Sequence, residues 1–304
     1  RLHRPLDAPP AQQVQLLVLG GNELMQLRHL LPALILPVAL AACPNNKKDE
    51  RLTLGEAAEA VTEISFASQA ESLTSASVEI STSFTIGQAV ENAAQEIKSF
   101  VASQLPCAQI TLENATLTIV YGALPGNCTY KGHKFEGSHS VSVKANAEAQ
   151  VLVHHEWTAF SNGKVTVDGS ADVTWDLSAK SRRVQHTATW TRNSDQYMVT
   201  GSGDRTQSVL SGGILEGIQV DGERNWKTPR GEWDLGIDGV QMRWIDPVPQ
   251  AGSYTLVTPK GKSLSLSFNR VDEDTIAVTV GSNNGSFTFN VNKIGSVQNT
   301  DSSS

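Results

Sequence analysis

Catalytic signatures are missing from this sequence. It has no Gly-x-Ser-x-Gly elbow to hold a serine on a strand-to-helix turn. It has no His-Glu-x-x-His pair, no phosphate-binding loop and no EF-hand loop. Positive charge is scarce as well, with 24 Lys and Arg against 31 Asp and Glu, a net charge of -7. The bases are scattered, and phosphate binding rests on clustered ones, so nucleic acid is excluded as a partner. The longest apolar run, Leu30–Leu40, is broken by Pro32 and Pro37 and falls short of the roughly 20 residues a membrane helix needs. Cysteine occurs three times, at 43, 107 and 128.

The remaining chain is largely strand-like. Apolar residues make up 39% of it, enough for a packed core, and Ser, Thr, Val and Gly crowd the second half. Between 164 and 177 the odd positions read Val165, Val167, Gly169, Ala171, Val173, Trp175, Leu177, and the even ones are polar. That alternation predicts an antiparallel sheet with one covered face. The same rule assigns Phe135, Gly137, His139, Val141 and Val143 to the covered face, then Val151, Val153, His155, Trp157 and Ala159, then Val184, His186, Ala188 and Trp190. It continues through Tyr254 and Leu256, Leu264 to Phe268, Ile276 to Val280, and Phe287 to Val291. The fold class predicted is mainly β: one large curved antiparallel up-and-down sheet, with closure toward a barrel left open, and a small N-terminal helical part.

Glycines 137, 169 and 201 are spaced 32 residues apart. Tight turns of two or three residues near 146, 161–163, 179–180 and 195 would align Gly137, His155, Gly169, Trp190 and Gly201 in one row. In such a row, bare and bulky residues alternate, and a ring can lie over a glycine. Two hairpin arms are expected across 225–249, with turns at Pro229-Arg230-Gly231 and Asp238-Gly239 and a proline-rich exit.

Helix signals lie upstream. Thr53-Leu54-Gly55-Glu56 and Thr85-Ile86-Gly87-Gln88 fit the capping box. The first opens a stripe fading by Ser72, the second one that Pro106 ends, and 78–84 alternates like a short strand between them.

Residues 25–43 carry the one family resemblance. Arg28 and His29 form a basic head, an apolar stretch follows, and Leu40-Ala41-Ala42-Cys43 resembles the bacterial lipobox. The resemblance implies a cleaved lipoprotein signal, a lipidated Cys43, and a cell-envelope protein held on the membrane by its acyl chains. Pro44 in place of the aspartate that retains enteric lipoproteins on the inner membrane favours the outer membrane. In general style the chain resembles lipoproteins of the type abundant in myxobacteria, a likeness that implies no activity. The organisation expected is upstream translated sequence over 1–24, signal over 25–42, anchor and tether over 43–52, helices over 53–106, a β domain over 107–292 and an unstructured tail over 293–304. With Cys43 assigned to lipid, Cys107 and Cys128 remain as an even pair in an exported protein. There a disulfide persists and would stabilise by about 3 kcal/mol. A two-cysteine metal site is the alternative.

Candidate ligand-facing residues are His139, His155, Trp157 and Trp190, on the covered face. Of the three histidines on that face, His139, His155 and His186, no more than two could meet, short of the three or four ligands zinc requires, so no metal and no cofactor is expected. The functional expectation is a non-catalytic envelope lipoprotein binding a hydrophobic or glycan ligand or an envelope protein. The alternative is a periplasmic enzyme with a His-containing site on the concave face. Histidines sealed among apolar groups favour the first, and an open cleft joining them to a carboxylate favours the second.

Overall fold

A computed structural model describes residues 51–81, 90–130, 132–145, 151–176, 179–213, 216–243, 246–292 and 296–301. Cys43 with the signal, the tether as far as residue 50, the second capping box and Trp244 lie outside the described residues, while Leu52, expected in the tether, is buried. The elements are α1 (Leu54–Ser81), α2 (Val90–Gln104), β1 (Gln109–Glu113), β2 (Thr116–Tyr121), β3 (Thr129–Tyr130), β4 (His133–Lys134), β5 (Glu136–Ala145), β6 (Val151–Ser161), β7 (Val165–Asp176) and β8 (Ser181–Arg192). They continue as β9 (Tyr197–Val209), β10 (Ile218–Thr228), β11 (Gly231–Arg243), β12 (Asp246–Val257), β13 (Ser263–Arg270), β14 (Thr275–Ser282), β15 (Gly285–Asn292) and β16 (Val297–Asp301). Fourteen strands form one antiparallel sheet in sequence order, and β3 and β4 form a separate ribbon between β2 and β5. The edges β1 and β16 do not pair, so the sheet is not closed into a barrel.

The face assignments hold because alternation survives along each strand. Val141, Val143, Val153, Val165, Val167, Val173, Trp175, Val184, Leu256, Leu264, Leu266, Val278, Val280 and Phe289 are all buried. The row of paired residues is different from the expected one. It reads Ile119, His139, Trp157, Gly169, Ala188, Gly201, Trp226, Trp233. Gly169 faces Ala188 instead of Trp190, and His155 faces Val141 and Ala171 instead of Gly137 and Gly169. For Gly169 the cause is turn length, and the next hairpin repeats it. Asp176 pairs with Ser181 and Arg192 with Tyr197, so both loops hold four residues, with Lys180 (φ 48°) and Gln196 (φ 58°) taking left-handed conformations without a glycine. Each loop is two residues longer than expected, and an even shift keeps the inward face inward.

The β6–β7 hairpin shows how that parity is protected. Ser161 pairs with Thr166, an odd shift that would turn β6 inside out. A bulge between Trp157 and Phe160, with Ala159 at φ 47°, restores the phase and turns Phe160 inward in place of Ala159. The Asp168 carboxylate accepts the Ala159 N–H at 2.7 Å. Across the pair, Gly137 adopts φ 86°, and a Cβ there would run into the Ala159 carbonyl.

Further differences lie downstream. Asp238-Gly239 is an irregularity inside β11, not a turn, and the Gly239 N–H donates to the Asp221 carboxylate at 2.7 Å. The proline-rich stretch belongs to β12. Pro247 and Pro249 fall in the gap between the Arg243–Asp246 and Gln241–Ala251 pairs, where no regular ladder needs their missing N–H. Val297–Asp301 forms β16 against β15 in place of an unstructured tail.

The Thr53 capping box is formed: Thr53 Oγ1 accepts the Glu56 N–H at 3.2 Å, and the Glu56 carboxylate accepts the Thr53 N–H at 3.0 Å. The helix it opens continues to Ser81, taking in Val78–Ser81, which alternation alone read as a strand. At 3.6 residues per turn, Val61 and Ile64 point nearly opposite to Phe66 and Leu73, yet all four are buried. A helix apolar on opposite sides must be enclosed rather than laid on a surface. Enclosure is what its polar side chains describe. Lys262 reaches Glu56 at 2.8 Å, Arg230 reaches Glu59 at 2.8 Å, Tyr197 donates to Glu63 at 3.0 Å, and the Trp157 indole donates to Ser77 at 2.8 Å. The apolar face of the sheet thus bends around α1. Cys107 and Cys128 are joined in a disulfide, Cα–Cα 5.4 Å, at the start of the sheet.

Candidate functional site

Two regions border α1. The first is a packed zone formed with β5–β10. His139 and His155 are 0% exposed, and their rings stack with centroids 5.2 Å apart. His139 Nε2 and His155 Nδ1 are 3.0 Å apart, and the Tyr121 hydroxyl lies 3.3 Å from His139 Nδ1. Trp157 stacks on both imidazoles, at 5.7 and 6.0 Å. Burial holds His139 at a pKa of about 3 and His155 well below the usual range, with the charges of His139 and Arg182 adding to the shift of His155. Both rings are neutral at pH 7.

Beside them lies a buried ionic cluster. Glu71 of α1 pairs with Arg205, and Arg224 and His186 stand at 4.0 and 3.9 Å from the same carboxylate. Glu79 pairs with Arg182 at 3.0 Å, and Arg182 Nε donates to Gln207 at 2.6 Å. Burial would raise the Glu71 pKa, but Arg205, His186, Arg224 and a hydrogen bond from Ser75 overcome it and hold the group at about 2. Burial in turn holds His186 at about 4 against the pull of Glu71. At neutral pH, therefore, His186 is uncharged, and the two arginines keep Glu71 ionised. The cavities left in this zone measure about 20 and 10 Å³, room for roughly one water each. No substrate fits there.

The arrangement corrects the expected ligand face. Trp157 borders both small cavities and Trp190 the 20 Å³ one, and His139 and His155 border neither region's open space. α2 packs on β2 and β5 and α1 on β7, and all four side chains are buried core. The expected ring-over-glycine packing does occur, two residues out of register: a Cβ at Gly201 would lie 2.7 Å from Trp190 Cη2, and Gly203 lies beneath the His186 imidazole. Glu71, Glu79 and their arginines were not expected. Arg182 shares the phase of Val184, His186 and Ala188, and Arg205 shares that of Gly201 and Gly203. A charged residue on an apolar phase was the available signal. No group of three or more metal-ligating side chains occurs among the described residues.

The second region is open. Between α1 and β13–β15 lies a cavity of about 330 Å³, within the range of small-molecule sites, about 300–1,000 Å³. Val61 and Ile64 of α1 face Leu266, Phe268, Ile276, Val278 and Val291 across it. Polar groups from the small ribbon and a distant turn complete the lining: His133 and Lys134 of β4, and Asn162 and Lys164 of the β6–β7 turn. The Ser72 hydroxyl bonds His133 Nε2 at 3.0 Å and ties this rim to α1.

Fold and cavity define a single-sheet β protein whose apolar face encloses a helix and leaves a ligand-sized space beside it. Comparison with protein families, with curated proteins and with solved structures finds no match to this chain.

Proposed function

We propose that this protein is a non-catalytic lipoprotein of the cell envelope that holds an apolar ligand in the cavity between α1 and β13–β15. The observation that carries the reading is the 330 Å³ space lined by seven aliphatic and aromatic side chains from the helix and the far strands. Apolar surface facing an unfilled space gains from any chain that displaces water from it. A glycan is disfavoured, because none of the described tryptophans lines the cavity. The alternative of a His-containing enzyme site loses support from the sealing of His139 and His155 at 0% exposure. Membrane attachment rests on the Leu40–Cys43 lipobox, and Cys43→Ala should move the protein from the membrane fraction to the soluble one.

Ligand holding is tested by native mass spectrometry of the full chain extracted from envelopes, and by titration with the uncharged fluorophore N-phenyl-1-naphthylamine. A bound apolar molecule and saturable fluorescence are expected. Both should be lost in Ile64→Trp and Val278→Trp, which fill the cavity. No adduct and no saturable binding, or binding indifferent to both substitutions, overturns the reading.

A further inference from the structure

We infer that the ligand is a single-chain anionic amphiphile whose acid group is held at the rim by Lys164, beside His133 and Asn162, with its chain running along α1 toward Val61. This inference rests on the proposed apolar site and specifies its occupant.

The cavity is graded in polarity. Ser72, which touches the rim through His133, lies eleven residues beyond Val61, roughly 16 Å along a helix rising about 1.5 Å per residue. The α1 side chains facing the space change along that length, from Val61 and Ile64 to Ser68, Gln69 and Ser72. An occupant must therefore be apolar at one end and polar at the other. The volume lies at the low end for small-molecule sites and suits one chain rather than two.

Charge selects the sign of the polar end. The chain carries a net charge of -7, yet none of the residues lining this cavity is acidic, and two lysines and a histidine lie at its rim. Lys134 is engaged outward with Glu136 at 2.7 Å. Lys164 has no acidic partner among the described residues. Its backbone is fixed, because the Asn162 side-chain oxygen accepts the N–H groups of Lys164 and Val165, each at 3.0 Å. Burial and the neighbouring Lys164 charge lower the His133 pKa, so at pH 7 its ring is a neutral hydrogen-bonding group and Lys164 supplies the charge. A long flexible amine on a fixed backbone, at the mouth of an apolar space, matches a carboxylate or phosphate on an alkyl chain.

The test is competition against N-phenyl-1-naphthylamine on the full chain, with dodecanoic acid, dodecyl phosphate, dodecan-1-ol and dodecylamine. The acid or the phosphate should bind about tenfold tighter than the alcohol, as a charge-assisted hydrogen bond allows, and the amine weaker still. The ratio of acid to phosphate then assigns the head group. Lys164→Ala should bring the anions to the level of the alcohol with alcohol affinity unchanged, and Lys164→Glu should favour the amine. Equal binding of anions and alcohol by the unaltered protein overturns this inference and leaves the apolar site standing. Preference surviving both substitutions overturns the role of Lys164. Binding of none of the four overturns the apolar site and this inference together.

Discussion

One helix is treated differently on its two sides. Toward β5–β10, α1 meets stacked imidazoles, indoles and a carboxylate–guanidinium cluster, with gaps no larger than a water molecule. Toward β13–β15 it meets aliphatic side chains across about 330 Å³ of space. The packed side is chemically the more demanding, since each buried charge must be matched, and the matching fixes the position and rotation of the helix. The open side is built of permissive residues and left unfilled. Tight packing and open space thereby lie on opposite sides of α1.

The largest effect should come from breaking the packed side. Glu71→Ala leaves Arg205 and Arg224 buried without their shared carboxylate, and should cost about 3–5 kcal/mol in urea unfolding. An effect below about 1 kcal/mol would mean the cluster does not hold the helix.

Acid should act on the same side. His139, held at about 3, His155, held lower, and His186, held at about 4, all resist protonation when folded. An unfolded histidine titrates near 6.5, so between that pH and the folded values the unfolded chain binds more protons and stability falls as pH falls. Lowering the pH from 7 to 6 should cost about 2 kcal/mol. The loss should shrink in a His139→Leu/His155→Leu variant, provided urea titrations show that it still unfolds cooperatively.

The finest comparison is the difference between two leucines. Leu235 and Leu266 are each 1% exposed, but only Leu266 borders the large cavity. Truncating a buried leucine to alanine costs about 2–5 kcal/mol depending on how the space is left. Leu235→Ala should fall near the top of that range and Leu266→Ala near the bottom, because Leu266 already lacks neighbours on one side. Equal losses would argue that the cavity collapses in solution.

Much of the fold is legible in the alternation. Val165 to Trp175, Leu264 to Phe268 and Ile276 to Val280 each declare one inward face, and the structure keeps every one of them. Register is less legible, because Lys180 and Gln196 adopt left-handed conformations that their side chains do not advertise. The bulge at Ala159 is legible only from its consequence, Phe160 turning inward. The cavity is hardest to read, since Val61, His133, Lys164 and Val278 are brought together from four separate stretches of chain.

The sequence by itself determined that the chain forms a one-faced antiparallel sheet, which residues face inward, and where α1 begins. Tertiary structure alone decided what covers the inward face. Periodicity reports that a surface is apolar, but not whether a helix, a ligand or another sheet removes it from water. Packing against the helices made His139, His155, Trp157 and Trp190 into core, and left the open space between α1 and the far strands.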